Sequence, residues 1–140
     1  MEKLLLKPEK LIPGISLNPE SGKLKIYGKS CPVDVSEYYS PVFEWIDNYI
    51  KSPKEKTVLE FYLSYFNTPS AMVIMHIMHK MESLAKSGKD VTVRWYYHEN
   101  DESLKEAGED YESIIDVKFE MVSLKSNEDE NDDKLFDLFD

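Results

Sequence analysis

The chain has 140 residues, enough for one domain around one core, and its 41% hydrophobic and 12% aromatic content excludes an overall disordered protein. A net charge of −10 argues against a nucleic-acid partner, because phosphate backbones are held by clustered Lys and Arg. The single cysteine, Cys31, excludes an internal disulfide and fits a reducing compartment.

The N-terminal "MEKLLLKPEK" is too short for a signal-peptide apolar core, and no run approaches the ~20 apolar residues of a membrane span. A cytoplasmic protein with no membrane contact is expected. Residues 1–9 are assigned as an N-terminal extension, 10–125 as the domain and 126–140 as an acidic tail. That tail, "SNEDENDDKLFDLFD", sets seven acids against Lys134 and carries more than half of the net charge. Its Leu135, Phe136, Leu138 and Phe139 form a pattern able to fold onto a partner groove, or to stay solvated.

In "GISLNPESGKLKIYG", Ile15 and Leu17 alternate with polar residues, Pro19 to Gly22 turn the chain, and Leu24 and Ile26 resume the alternation: a hairpin. A helix follows, with Tyr39, Val42, Phe43, Ile46, Tyr49 and Ile50 on one face, Pro41 in its first turn and Ser40 as cap. "TVLEFYLSYF" is a strand with Leu59, Phe61, Leu63 and Tyr65 on one side. A second helix is expected from about Pro69 to Ser87, ended by Gly88. "DVTVRWYYH" is a strand, "DESLKEA" a short helix stopped by Gly108, and "DVKFEMV" the last strand.

Each strand has one apolar and one mixed face, whereas a sheet covered on both sides reads as continuous hydrophobic runs. The mixed faces hold Lys25 and Tyr27, Glu60 and Tyr62, Arg94 and Tyr96, and Lys118 and Glu120. The expected fold class is therefore α/β: a two-layer sandwich with a mixed five-stranded sheet, helices on one face, in the order β-β-α-β-α-β-α-β. Arg94 with Glu60 or Glu120 suits cross-strand charge pairs on the open face.

The junction "YFNTPSAM" raises the functional question. Thr68 before Pro69 suits a helix cap, with Asn67 tolerating the tight turn. The same position lies at the carboxyl edge of the sheet, where such folds present binding surfaces. A phosphoryl group there would add a charge of about −1.5 to −2 over the positive end of the second helix. Beside it, Ser70, Met72, Met75, His76 and His79 follow along that helix, and exposed methionines adapt well to a partner. His76 and His79 lack a third ligand for a metal, and none is expected. His98, Asp101 and Glu102 suit an acid–base cluster or the cap of the third helix.

The stretches "GKLKIYGKSCPVDVSEYYSPVFEWIDNYI", "EFYLSYFNTPSA", "GKDVTVRWYYHENDESLKEAGEDYE" and "VKFEMV" resemble the SiaC family of bacterial regulatory phosphoproteins. The most specific pieces are "YFNT", "WYYHENDE" and "GED". The resemblance implies a fold similar to the STAS domain of anti-sigma-factor antagonists. It also implies that Thr68 is phosphorylated by a partner kinase and released by a phosphatase. The unphosphorylated form would bind an effector such as a diguanylate cyclase, with no catalytic residues and no cofactor. This chain departs from the usual family continuation at Pro69, Ser70, Ala71 and Met72. Alternatives are a small acid–base enzyme using His98, Asp101 and Glu102, or a constitutive scaffold using the open sheet face or the acidic tail.

Overall fold

The structure, a computed structural model, describes residues 1–125; the acidic tail at 126–140 lies outside the described residues. The described residues form six strands: β1 (Leu4–Leu6), β2 (Gly14–Asn18), β3 (Lys23–Ser30), β4 (Lys56–Phe66), β5 (Asp90–His98) and β6 (Lys118–Leu124). Three helices, α1 (Val35–Tyr49), α2 (Thr68–Lys86) and α3 (Glu102–Ile114), connect the last four. The strands lie side by side in chain order, antiparallel from β1 to β3 and parallel from β3 to β6. Each crossover moves one strand in the same direction, so connections of one hand place all three helices on one face.

The sheet thus has six strands, where the sequence pattern predicts five. Three leucines are too few to display a period, but in the fold Leu4 and Leu6 pack against the core while Leu5 is 66% exposed. Trp45 of α1 donates its indole N–H to the Glu2 carbonyl at 2.7 Å and holds this edge strand in place.

Two helix boundaries also differ. α1 begins at Val35, about two turns before Pro41, because Asp34 accepts a bond from the Glu37 N–H at 3.0 Å and caps it there. Pro41 is exposed within the helix. Gly108 lies inside α3 and does not stop it. A Cβ at that position would come within 2.7 Å of Trp95 Nε1, so the glycine lets α3 lie flat on the Trp95 ring. Gly88, by contrast, follows α2 with φ +102°, the left-handed backbone that ends helices.

The main core joins Ile15, Leu17, Leu24, Ile26, Leu59, Phe61, Leu63, Val91, Val93 and Trp95 of the sheet to the inner faces of the helices. Burying each such side chain contributes roughly 1.5–3 kcal/mol. Tyrosine rings take an unusual share of the interior. Burial, with Glu9 nearby adding to it for Tyr38, pushes the hydroxyls of Tyr38 and Tyr111 up from the ordinary 10.0 to about 12. Burial raises Tyr39 and Tyr96 as well; the bond to Glu60 adds for Tyr96, while the Ser30 bond opposes the shift at Tyr39.

Because the folded values lie above the unfolded one, the stability from these tyrosines is complete below pH ~10 and is lost as pH rises to about 12 and beyond. An alkaline titration should show part of the nine tyrosines ionising only as helical circular dichroism disappears. Ionisation of all of them near pH 10 with unchanged dichroism would contradict this packing.

On the open face, Arg94 bonds Glu120 at 2.7 Å and lies 3.6 Å from Glu60, so the cross-strand charge pairs form. The Glu120 bond raises the Arg94 guanidinium and lowers the Glu120 carboxyl from their ordinary values.

Candidate functional site

The junction between β4 and α2 is built from backbone inward. The Asn67 N–H donates to the Ser30 carbonyl at 3.1 Å, which extends the β3–β4 pairing by one residue and sets where the strand must stop. The Asn67 side chain then accepts from the Ser70 N–H at 3.1 Å, and its carbonyl accepts from Ala71 at 2.9 Å. Asn67 is therefore the cap, and Thr68 is the first helical residue. This corrects the sequence reading, which gave the cap to Thr68 and the first helical position to Pro69.

The correction frees the threonine. Thr68 is exposed, and its hydroxyl has no hydrogen-bond partner among the described residues. It also changes what an anion would meet there. Pro69 has no N–H, while those of Ser70 and Ala71 are engaged by Asn67. A phosphate on Thr68 would feel the positive end of α2 but find few open donors in the fold. It would stand out toward solvent.

Below the exposed threonine the junction is rigid. Ser70 is fully buried: its hydroxyl donates to the Ser30 carbonyl at 2.8 Å and accepts from Ser30 Oγ at 2.8 Å. Ser30 Oγ in turn contacts the Tyr39 hydroxyl at 2.7 Å, linking β3, α1 and α2. Ser70, grouped by sequence with the partner-facing residues, thus points into the interior. The Tyr111 hydroxyl donates to the Ala71 carbonyl at 2.8 Å and ties α3 to the same helix end.

Two depressions flank Thr68. A groove of about 540 Å³ between α1 and α2 is lined by Val35, Ser36, Ser40, Phe43, Pro69, Met72, Val73 and His76. A smaller one of about 170 Å³ lies between the end of β4 and the start of α3, lined by Tyr65, Phe66, Asp101 and Leu104 among others. Met72 is 51% exposed and Tyr65 56%, so large apolar side chains face solvent at this edge. Met75 is half-buried against the core. His79 is exposed and sits 3.3 Å from Glu82, whose carboxyl is held below its ordinary range chiefly by the Asp116 N–H and then by His79. Phe43 was not legible as a site residue, since its spacing reads only as the apolar side of a helix, and Val35 lies before the helix start that the sequence pattern gives at Ser40.

His98, Asp101 and Glu102 do not converge. His98 turns onto the open sheet face, where its Nε2 lies 3.2 Å from the Tyr62 hydroxyl. Asp101 accepts from the Leu104 N–H at 3.0 Å and caps α3, and Glu102 is exposed in its first turn. Strand alternation separates the histidine from the other two. Among the described residues no group of three His, Cys, Asp or Glu is placed to hold a metal ion, and no helix is long and apolar enough to cross a membrane.

An uncharacterized protein of Pseudomonas aeruginosa (strain UCBPP-PA14) is 26% identical over 114 residues, spanning 77% of this chain and 90% of that protein. The crystal structure of apo-SiaC from Pseudomonas aeruginosa matches with a TM-score of 0.80 at 24% identity, over 87% of this chain and 99% of that one. SiaC in complex with the diguanylate cyclase SiaD, which it activates, matches with a TM-score of 0.82 at 24% identity, over 86% of this chain and 99% of that one. At such identity the structures show a shared fold. The family model for the SiaC family regulatory phosphoprotein matches residues 6–124. That designation describes a regulatory protein and not an enzyme. The match runs from β1 to the end of β6 and contains the whole Thr68 junction, and the chain belongs to the SiaC family of regulatory phosphoproteins.

Proposed function

We propose that this protein is a cytoplasmic, non-enzymatic adaptor whose binding to an effector is switched by reversible phosphorylation of Thr68. A protein kinase adds the phosphate and a phosphatase removes it. The effector is a signalling protein, and the complex of the relative SiaC with a diguanylate cyclase favours that class. The architecture of anti-sigma-factor antagonists implied by the sequence resemblance belongs to the same reading.

One observation carries the proposal: Thr68 is an exposed hydroxyl at a helix start whose capping is done by its neighbour Asn67. A threonine that is not needed as a cap is open to another use. The apolar groove beside it offers a partner Met72, Phe43 and Pro69, and a phosphate at its rim would bring about −1.5 to −2 charges against that partner. Asn67, Pro69, Met72, Met75, His76 and His79 belong to the docking edge in this reading. His98, Asp101 and Glu102 border it at the ends of β5 and α3.

Phosphosite mapping by mass spectrometry on protein from its native cells tests the assignment. Phosphate is expected on Thr68, and none at this junction in Thr68→Ala. An unmodified Thr68 under every growth condition would refute it.

A further inference from the structure

The sheet face opposite the helices carries two rows of side chains in register. One is charged: Lys25, Glu60, Arg94 and Glu120 on successive strands. The other, one step toward the carboxyl ends, is apolar. There Tyr27 pairs with Tyr62 and Tyr96 with Val122, and the Tyr62 and Tyr96 rings stack with centroids 6.0 Å apart. Tyr27, Val122 and Leu124 pack against that pair as a cluster separate from the main core. A depression of about 310 Å³ beside it is lined by Tyr27, Tyr62, Gly28 and Lys29 among others. Among the described residues no helix covers this face, yet Lys25 and Glu60 are 1% exposed and Tyr62 and Tyr96 3%.

Charge and chain path point to one occupant. The face bears Lys23, Lys25, Arg94 and Lys118 against Glu60 and Glu120, a positive balance in a chain of net −10. The family match ends at residue 124, and Leu124 itself packs at the rim of the tyrosine shelf. Beyond it come six acids before the apolar quartet Leu135, Phe136, Leu138 and Phe139 is complete. From β6 to β3 is three strand spacings, about 14 Å. The ten residues from Lys125 to Lys134 reach up to about 33 Å when extended, so the quartet can arrive at any of the three tyrosines.

We propose that the open sheet face is the docking site of the chain's own C-terminal segment, with Leu135 to Phe139 on the Tyr27–Tyr62–Tyr96 shelf and the preceding acids against the lysines around it. Tethering makes this an intramolecular event at high effective concentration, so modest contacts suffice. The tail thereby withholds the open face from other proteins. The assignment does not depend on Thr68, which lies at the start of a helix on the other side of the sheet.

Paramagnetic relaxation in the full chain tests it, with a nitroxide on Asp137→Cys in a Cys31→Ser background. The ring signals of Tyr27, Tyr62 and Tyr96 should lose most of their intensity, while signals along α2 keep theirs. The loss should be largely reversed by Phe136→Ser with Phe139→Ser, and by salt at about 0.5 M, where screening lengths fall to a few ångströms. Broadening that is absent, or spread evenly over the domain, would overturn the proposal. So would broadening in a mixture of isotope-labelled protein lacking nitroxide with unlabelled protein carrying it, because the occupant would then be the tail of a second copy.

Discussion

A Thr68→Asp variant is expected to bind the effector about tenfold more weakly, or worse, while Thr68→Ala binds as tightly as the unphosphorylated protein. Tenfold corresponds to about 1.4 kcal/mol, at the low end of what an unmatched charge costs when an interface closes over it. Asp carries one charge where phosphate carries about −1.5 to −2, so the substitution sets a lower bound on the effect of modification. The position makes the experiment clean. Thr68 is exposed and Asn67 supplies the cap, so Thr68→Ala should change stability by no more than about 0.5 kcal/mol. Asn67→Ala, which removes the bond to the Ser70 N–H, should cost about 1 kcal/mol. The measurement is affinity for the partner captured from native cells, alongside thermal unfolding of all three variants. Equal affinities of the Ala and Asp variants at position 68 would sink the switch.

The second large effect is on stability. Gly108→Ala should destabilise the protein by about 2 kcal/mol, although alanine is the better helix former by about 1 kcal/mol. The reason is local. The added methyl would meet the Trp95 ring and also come within 2.8 Å of the Met121 side chain. Trp95 cannot easily move aside. Its N–H donates to the Leu104 carbonyl at 2.9 Å, and its ring packs with Phe61, Phe66 and Tyr111. α3 must therefore lift from the sheet, and overpacking of that kind outweighs the gain in propensity. Gly88→Ala provides the contrast, since nothing lies within 4 Å of its added carbon and only the left-handed backbone resists it. Denaturant unfolding of both variants distinguishes a packing glycine from a turn glycine. A Gly108→Ala protein as stable as the parent would show that α3 is not seated on Trp95.

Local pattern and tertiary packing divided the information unevenly. The strand alternation at Leu59, Phe61 and Leu63, and at Val91, Val93 and Trp95, was enough to predict a sheet with its helices on one face. The cross-strand pairing of Arg94 with Glu60 and Glu120 followed from the same period. Thr68 was legible as a residue at the carboxyl edge because strand and helix signals meet there, and the resemblance of "YFNT" gave it a role. What failed were positions whose meaning depends on distant residues. Leu4 to Leu6 becomes a strand only because β2 offers an edge and Trp45 a donor to the Glu2 carbonyl. His98 parts from Asp101 because one faces the open sheet and the other caps a helix.

By itself, the sequence determined the types of the elements from β2 onward, the single helix-bearing face of the sheet, the acidic character and the position of the threonine where strand gives way to helix. Those properties rest on periods of two and 3.6 residues and on charge, which any short window contains. Tertiary structure decided that Asn67 and not Thr68 caps α2, because the Ser30 carbonyl on the neighbouring strand sets where β4 ends. It also turned Ser70 inward to Ser30 and let α3 continue through Gly108 over Trp95. In each case the deciding partner lies well away in the chain, so the choice is made by packing and not by propensity.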